Sequence, residues 1–486
     1  MNRTCKSLAV ALGALALAGC VSPQGLRPQA QPLHAAQLAT GSAFAGVPQN
    51  APWPAAQWWR SLHDPQLDRL VALALRDNPS LAEAAARARL ASAQAAGADA
   101  ARLPTLGAGV SADGIRIPPT VIGAPLGGHY ATLWRAGLSF SYTFDLWGGQ
   151  HAQWQAALDQ AHAAQVQAEA ARLLLAADVA RAYVDYAYAG QSVAILERNR
   201  ERTHTLQALA EKRLAAGVDS RLQVLDARAA VAAAQQQLEA AQRGRRGAAL
   251  ALAELCGQGP GYADTLAPAA PLQPTALALP ATLPAELLAR RPDVIAARWQ
   301  VEGAAQEIQV ARTAFLPNIN LAAGLGLASL GAGNLLEAAA HYEQFAPAIS
   351  LPLFDGGRLR ANLRGADARY DASVAQYNQT LVTAIHQVAD GVSATQSLTR
   401  ELRAQMQARA DAAQAWHLAQ DQLRAGVISR MQALAVQQGL LAAEQRLAQL
   451  RADRISAGIS LIVALGGGWQ PSIVVPRSKP LAEMHP

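Results

Sequence analysis

The chain has 486 residues, of which 51% are hydrophobic and only 5% aromatic, and its formal net charge is +6. This length predicts two or more structural units rather than a single domain. Much of the apolar content is alanine, which favours helices over a large conventional core. The positive charge is spread without long runs, so we expect a solvated helical surface and no binding of nucleic acid.

The N-terminus has the pattern of a secretory signal. Arg3 and Lys6 precede an apolar run from Leu8 to Ala18, which is too short to cross a membrane as a helix. The run leads into "LAGC", which resembles the bacterial lipobox and predicts a signal peptide over residues 1–19 and acylation of Cys20. The alternative is that Cys20 is an ordinary small residue near a cleavage site.

The cysteines and the residues beside them indicate the membrane in which the chain is anchored and whether a disulfide can form. Val21 follows Cys20, where an aspartate would indicate retention in the inner membrane, so we expect anchoring in outer-membrane lipid. Cys5 is removed with the signal, which leaves Cys256 as the one unmodified thiol and permits no intramolecular disulfide. Residues 20–60 are expected to form a lipid-anchored linker.

The rest of the sequence repeats one plan. The stretch "RLAAGVDSRLQVLDA" (Arg213–Ala227) matches "QLRAGVISRMQALAV" (Gln422–Val436). A second pair of matching stretches begins at Asn78 and at Arg291. Self-similarity of this kind indicates duplication of a structural unit. The expected organisation is a first repeat over 61–256, a proline-rich linker over 257–284, a second repeat over 285–466 and a tail over 467–486.

Each repeat contains a region in which apolar residues alternate with small or polar ones. The alternation is regular in Trp134–Phe144 and in Ile319–Leu327. A period of two over about ten residues is typical of a strand with one apolar face, and this length crosses a bilayer in a barrel. We therefore expect β-hairpins over about 105–145 and 318–354, with a bulge at Gly114, where the alternation slips.

Long stretches without proline follow each expected β-hairpin. Apolar residues from Tyr370 to Val392 recur at spacings of three and four, which predicts one face of a helix. We expect one helix before each β-hairpin and a helical hairpin after it, over about 150–255 and 358–465, with a first arm of roughly 100 Å. Gly217 and Gly426 interrupt these stretches, and glycine suits such a turn because it adopts a positive φ without a Cβ clash.

These elements do not complete a membrane structure within one chain. Membrane barrels have about eight strands or more, and open sheet edges are not stable in lipid. Several copies must therefore pool their strands if the strands lie in a membrane. The long helices have polar outer surfaces and are expected to project into an aqueous compartment.

Several phrases of the sequence resemble those of one family. They are "QWWRSLHDPQLDRLVALALRDNPSL", "FDLWGG", "LPAELLARRPDV", "ARTAFLPNINL", "SLPLFDGGRLRANL" and "LGGGW". Together they are typical of the TolC-like outer-membrane efflux lipoproteins, the outer component of tripartite drug-export pumps. The resemblance covers nearly the whole mature chain. It implies a mainly α fold with membrane β structure: a homotrimer with an α-helical periplasmic barrel and a 12-stranded outer-membrane β-barrel, four strands from each chain.

The same resemblance implies a function. Members of this family passively conduct drugs or other small molecules to the cell exterior, and they receive them from an inner-membrane pump through a periplasmic membrane-fusion adaptor protein. The pump is of the RND or the major-facilitator class, and the sequence leaves both open. The sequence likewise leaves open which compounds are exported.

The resemblance also assigns roles to residues at the two glycine turns, which it places at the periplasmic end of the helices. Several relatives have an acidic residue at the position of Ala435, so an acidic gate formed by the second repeat is not expected. Asp226 either supplies charge at the entrance or is a surface residue. The expected docking residues are Gly217, Val218, Gly426 and Val427, and the expected entrance residues are Leu222, Asp226, Met431 and Ala435.

Two other classes of function explain less of the sequence. An enzyme is not expected, because H-E-x-x-H, G-x-S-x-G and the phosphate-binding G-x-x-x-x-G-K-[ST] are all missing and the ten histidines are scattered. No cofactor or metal is expected for the same reason. A structural periplasmic coiled-coil lipoprotein without channel activity would explain the helices, but not four strands of bilayer-crossing length.

Overall fold

The computed structural model describes residues 22–34, 38, 52–116, 118–120, 128–273 and 290–470. The expected signal peptide, Cys20, much of the expected linker and the tail after residue 470 lie outside the described residues. The elements are α1 (Pro65–Asp77), α2 (Pro79–Ala100), β1 (Thr105–Arg116), β2 (Tyr130–Phe144), α3 (Gly149–Ala215), α4 (Arg221–Leu255), α5 (Pro292–Thr313), β3 (Asn318–Ser329), β4 (His341–Ser350), α6 (Arg358–Arg424) and α7 (Arg430–Ala464).

The duplication in the sequence is visible as equal element lengths. α3 and α6 each contain 67 residues, α4 and α7 each contain 35, and β1 and β3 each contain 12. The second strands differ, with 15 residues in β2 and 10 in β4. β4 ends at Ser350, short of the expected limit near 354, and Pro352 follows without a backbone N–H for a strand ladder.

Local sequence sets the boundaries of the first helices. α1 begins at Pro65, and the preceding Asp64 accepts hydrogen bonds from the backbone N–H groups of Gln66 and Leu67 at 2.8 and 3.3 Å. α1 ends before Asn78 because Pro79 disfavours a helical conformation at the residue before it. The sequence predicted one helix before this β-hairpin, and the described residues contain two because of that Asn-Pro step.

The chain divides into two compact units, and the first contains the sheet. This sheet unit comprises the described residues of Met1–Pro32, Ala88–Ala164 and Ala297–Tyr377. Its four strands are antiparallel in the order β1-β2-β3-β4, which confirms the four expected strands. The expected bulge at Gly114 is wrong: Gly114 pairs with Thr132, and the register continues unbroken to Arg116 and Tyr130 at the strand ends.

The register places most of the large apolar residues of the four strands on one face, whereas Ile115, Leu133 and Tyr342 lie on the other. Residues directly opposite one another share a face, as in the row Ala108, Leu138, Leu325 and Glu343. Most of this face is apolar, and Glu343 is an exception near one end. The other face carries small or polar residues: Gly107, Ser111, Ser139, Ser141, Thr143, Asn320, Gly324, Gln344 and Ser350.

The N-terminal residues of the sheet unit run along α6. The carboxylate oxygen Oδ1 of Asp371 accepts hydrogen bonds from the backbone N–H groups of Gln29 and Ala30 at 2.9 and 2.8 Å. Arg360 donates to the carbonyl of Ser22 at 2.6 Å. These bonds hold the expected linker against α6 at Ser22 and again at Gln29 and Ala30.

The second unit is helical and has the larger apolar core. It comprises the described residues of Leu33–Arg87, Gln165–Ala296 and Asn378–Pro486. Its main core cluster joins buried residues of α1, α3, α4 and α7, among them Leu67, Tyr183, Leu252 and Ile459. α3, α6 and α7 are also linked through Glu444, whose carboxylate pairs with Arg198 at 2.7 Å and with Arg409 at 3.3 Å. Among the described residues, no helix is both long enough and apolar enough to span a membrane.

Candidate functional site

Both repeated glycines occupy turns that reverse the chain between two long helices. Gly217 has φ +72°, and Gly426 has φ +73°. Glycine is favoured in this left-handed region because a side chain there is strained. The prediction of a positive φ at both positions is confirmed. We call residues 213–223 the first tip and residues 422–432 the second tip.

Hydrogen bonding at the two tips follows one pattern. Gly217 N–H donates to the carbonyl of Leu214 at 2.9 Å, and Val218 N–H donates to that of Arg213 at 3.0 Å. At the second tip the same two bonds, from Gly426 and Val427, measure 3.1 and 2.8 Å. This is the Schellman arrangement, in which a left-handed glycine satisfies carbonyls left free at a helix end.

The residue after each glycine is apolar and exposed. The exposed fraction is 64% for Val218 and 70% for Val427. A Cβ added at either glycine would meet no other atom within 4 Å, so each tip ends in open space within the chain. An exposed apolar side chain at the end of a helical hairpin can pack against a partner without rearrangement of the turn.

Charged side chains fasten the first tip. Arg213 and Asp219 form an ion pair of 2.8 Å across the turn. Two residues before Arg213, Glu211 accepts hydrogen bonds from Gln207 and Arg228, each at 3.0 Å. These two bonds, with that from Gln207 the larger contribution, lower the pKa of the Glu211 carboxyl.

A capping box fastens the second tip. The Ser429 side chain accepts a hydrogen bond from the backbone N–H of Gln432 at 3.3 Å. In return the Gln432 side chain accepts one from the backbone N–H of Ser429 at 2.8 Å. This reciprocal pair satisfies two free donors at the start of α7. The equivalent Ser220 at the first tip makes no side-chain bond to the backbone of α4.

The four expected entrance residues lie in the first two turns of α4 and α7. Leu222 and Asp226 are one turn apart and exposed on α4, while Val224 and Ala227 between and beside them are buried against Ala210. The Asp226 side chain forms no ion pair within the described part of the chain. On α7 the equivalent positions hold a partly buried side chain and an exposed one, Met431 and Ala435.

Sequence reasoning did not identify the contacts that fasten the tips or the helices. A signal for the Arg213–Asp219 pair was present, since opposite charges flank the glycine turn. The links between Glu444 and both Arg198 and Arg409 had no such signal, because Arg198 lies 246 residues away in the sequence. Cys20 lies outside the described residues. No cluster of three or more metal-ligating side chains occurs in the described residues.

Comparison with known proteins identifies the family. The family model for "Outer membrane efflux protein" matches residues 70–258 and 283–467. The fusaric acid resistance protein FusA of Burkholderia cepacia is 38% identical over 74% of this chain and 69% of its own length. The multidrug resistance outer membrane protein MdtP of Escherichia coli K12 is 33% identical over 87% of this chain and 89% of its own.

A solved structure shares the fold along most of the chain. The outer membrane protein VceC of Vibrio cholerae matches with a TM-score of 0.77 and 34% identity, over 86% of this chain and all of VceC. The resemblance to TolC-like efflux channels is therefore confirmed. The chain belongs to the outer membrane efflux protein family and is a subunit of an outer-membrane efflux channel.

Proposed function

We propose that three copies of this chain enclose one conduit that small organic molecules cross passively, without a reaction catalysed by the chain, and that the two tips dock a periplasmic adaptor. Channels of this family are homotrimers that work with an adaptor and an inner-membrane pump.

The observation that carries the proposal is the sheet with two free edges. Within the described chain β1 pairs only with β2, and β4 pairs only with β3. Unpaired backbone groups in lipid cost several kcal/mol each, so these edges need partners. β1 of one copy and β4 of the next run antiparallel when the copies are related by rotation, and closure would join twelve strands, three times four, with the apolar face toward lipid.

The tips supply the second part of the proposal. Val218 and Val427 are exposed apolar side chains on rigid Schellman turns, and they support docking of an adaptor without a large ordering cost. We assign to the narrow periplasmic entrance four residues in the first two turns of α4 and α7: Leu222, Asp226, Met431 and Ala435. The division into two repeats, a linker and a tail belongs to the same proposal.

The names of the relatives suggest the cargo. FusA is named for resistance to fusaric acid, and MdtP is named for resistance to multiple drugs. For the present chain we propose small organic compounds as the cargo class. The test is accumulation of a fluorescent compound in a strain that lacks the gene. We expect accumulation to rise, and to return to the starting level when the gene is restored.

Cysteine pairs test the closed assembly. A cysteine at Gly109 on β1, combined in turn with one at Gln344, Ala346 or Ala348 on β4, should give cross-linked dimers and trimers in native membranes. The matched control is Ser139→Cys with Gly324→Cys, because these positions already pair within one chain. Only monomers from every edge pair would contradict the proposal. A heat-modifiable band distinguishes a barrel from a structural periplasmic lipoprotein.

Lipidation of Cys20 is proposed from the sequence pattern alone. Mass spectrometry of the purified protein should find a blocked, acylated Cys20 at the mature N-terminus. A free amino group further along the chain would contradict it. Because a closed barrel would itself anchor the protein, Cys20→Ala should lower sorting efficiency or yield more than membrane insertion.

A further inference from the structure

A crevice of about 420 Å³ opens in the helical unit beside the second tip. It lies between α3 and the end of α6 with the start of α7. Its walls include Arg198, Arg202, Trp416, Leu423, Arg430 and Leu434. The volume falls within the range of small-molecule sites, about 300–1,000 Å³.

Arg202 is a buried charge that no carboxylate neutralises within the described residues. It is 8% exposed. Its Nε donates to the side-chain oxygen of Asn199 at 3.1 Å, and it forms no ion pair of the kind made by its neighbour Arg198 with Glu444. Burial lowers the pKa of this guanidinium. A buried cation without a counter-ion is costly, so an anion that enters the crevice would be stabilised there.

The other charged side chains of the crevice give it an excess of positive charge. Arg430 has no ion-pair partner in the described part of the chain, whereas Arg198 and Arg424 are each engaged, with Glu444 and Asp421 at 2.7 Å. The acidic residue among the lining side chains is Glu201, which is exposed. Arg202, buried on α3, and Arg430, exposed at the start of α7, thus both line the crevice without a carboxylate partner in the described residues.

The remaining wall is apolar and aromatic. Trp416, Leu423 and Leu434 line it, and Leu434 is buried. Guanidinium groups bind carboxylates through two parallel hydrogen bonds, and an indole offers a face or edge for ring packing. We propose that this crevice binds small aromatic carboxylates and that the bound carboxylate bridges α3 to α7 beside the second tip. The inference goes beyond the proposed conduit, because it assigns a ligand site that passive conduction does not require.

The sequence repeat supplies an internal control. At an offset of 209 residues, Arg430 corresponds to Arg221, but Trp416 corresponds to Gln207 and Arg202 to Asp411. The first tip therefore keeps the arginine after its serine and lacks the equivalents of the other two groups. A change at Arg221 alters the same charge in the same local motif without touching the crevice.

The test is titration calorimetry of the purified full-length trimer with benzoate. We expect one site per chain. Arg430→Gln should weaken binding by about tenfold, because a charge-assisted hydrogen bond is lost. Trp416→Leu should weaken it several-fold, and Arg221→Gln should leave it unchanged. Arg202→Gln should abolish it, while the two variants at less buried positions keep the proposal testable if Arg202→Gln does not fold.

Two further probes separate the charge from the ring. Benzyl alcohol carries the ring without the charge and should not bind detectably. Inorganic phosphate carries charge without the ring and should bind at least about tenfold more weakly than benzoate. Benzoate should also raise the thermal midpoint of the wild type and of Arg221→Gln, and have little effect on that of Arg430→Gln.

Several results would overturn the proposal. They are the lack of benzoate binding to a correctly trimeric wild type, phosphate affinity equal to that of benzoate, or an equal effect of Arg221→Gln and Arg430→Gln. Conductance of the trimer in a planar bilayer is measured separately. A conducting channel that does not bind benzoate rejects this site alone, whereas a trimer that binds benzoate without conducting rejects the conduit alone.

Discussion

The two tips share a backbone but differ in what fastens it. Both have a left-handed glycine with the same pair of Schellman hydrogen bonds. Every member of the charged set at the first tip is replaced by an uncharged residue at the second. At the offset of 209 residues, Glu211, Arg213, Asp219 and Arg228 correspond to Gln420, Gln422, Ile428 and Gln437.

The comparison separates the residues that encode the turn from those that fasten it. The glycine and the following Val remain the same in both repeats and set the conformation. The substituted positions decide whether ion pairs fasten the turn. The capping box does not depend on them, because its Ser429 and Gln432 correspond to the identical Ser220 and Gln223, and the reciprocal bonds form at the second tip only. Ion pairs and caps respond differently to salt and pH. Two otherwise similar tips can therefore be loosened independently.

Replacing the glycines disturbs the left-handed turn that both tips share, and it should have the largest effect. A β-branched residue at φ near +72° should cost on the order of 1–2 kcal/mol, too little to unfold a trimer. It should still reshape the exposed surface at Val218 or Val427. We expect Gly217→Val and Gly426→Val each to keep a normal trimer level and to raise accumulation of a fluorescent pump substrate.

The control for this prediction is a glycine with an ordinary helical φ. Gly439 lies in α7, and a Cβ there also meets nothing within 4 Å. Gly439→Val should leave export unchanged. Export at the wild-type rate by both tip variants would mean that the tips are spacers, and loss of trimer by both would mean that the glycines serve assembly.

The backbone of the tips could be predicted from the sequence because glycine in a repeated phrase has a local conformational meaning. The strands could be predicted because their alternation is also local. The expected bulge at Gly114 was wrong because Ile115 continues in register opposite Ala131 although it breaks the alternation. The crevice beside the second tip could not be predicted, because it brings together Arg202, Trp416 and Arg430 from helices that are far apart in the sequence.

Removing the capping serines tests the two tips at the level of single hydrogen bonds. Ser429→Ala should destabilise the first turn of α7 by about 1 kcal/mol, because its cap bond to Gln432 is lost. Ser220→Ala should have a clearly smaller effect, because Ser220 makes no cap bond. Hydrogen exchange of the backbone amides in residues 430–433 and 221–224 measures both. Equal losses of amide protection in the two variants would contradict the conclusion that Ser429 caps its helix and Ser220 does not.

Neutralising the carboxylate of the first tip tests its ion pair. Asp219→Asn should loosen residues 214–220 by about 0.5 kcal/mol, since the Asp219 side chain is shielded but that of Arg213 is partly exposed. Asp421→Asn is the comparison change, one residue before the second tip. Asp421 pairs with Arg424, both side chains are well exposed, and the change should have no measurable effect. Hydrogen exchange at low and high salt gives the readout. An effect of Asp219→Asn that persists unchanged at high salt would argue against an ionic origin.

Acid should loosen the first tip more than the second, and this is the smallest of the expected effects. The pKa of Glu211 is lowered by hydrogen bonds from Gln207 and Arg228, so its ionised form is favoured in the folded tip. The resulting stabilisation is present above the unfolded carboxyl value of about 4.5 and is lost as the pH falls through the lower folded value. The equivalent residue at the second tip, Gln420, does not titrate.

Spin labels at Val218→Cys and Val427→Cys can detect this difference, because both positions are exposed and the native Cys256 is buried. Between pH 7 and about pH 3 the label at the first tip should become more mobile, with a smaller change at the second. Glu211→Gln should make the first label more mobile already at pH 7 and remove most of its acid-induced step. Asp219 also lies at this tip, and it remains intact in that variant. If the Glu211→Gln label still shows the full step, Glu211 has no part in fastening the turn.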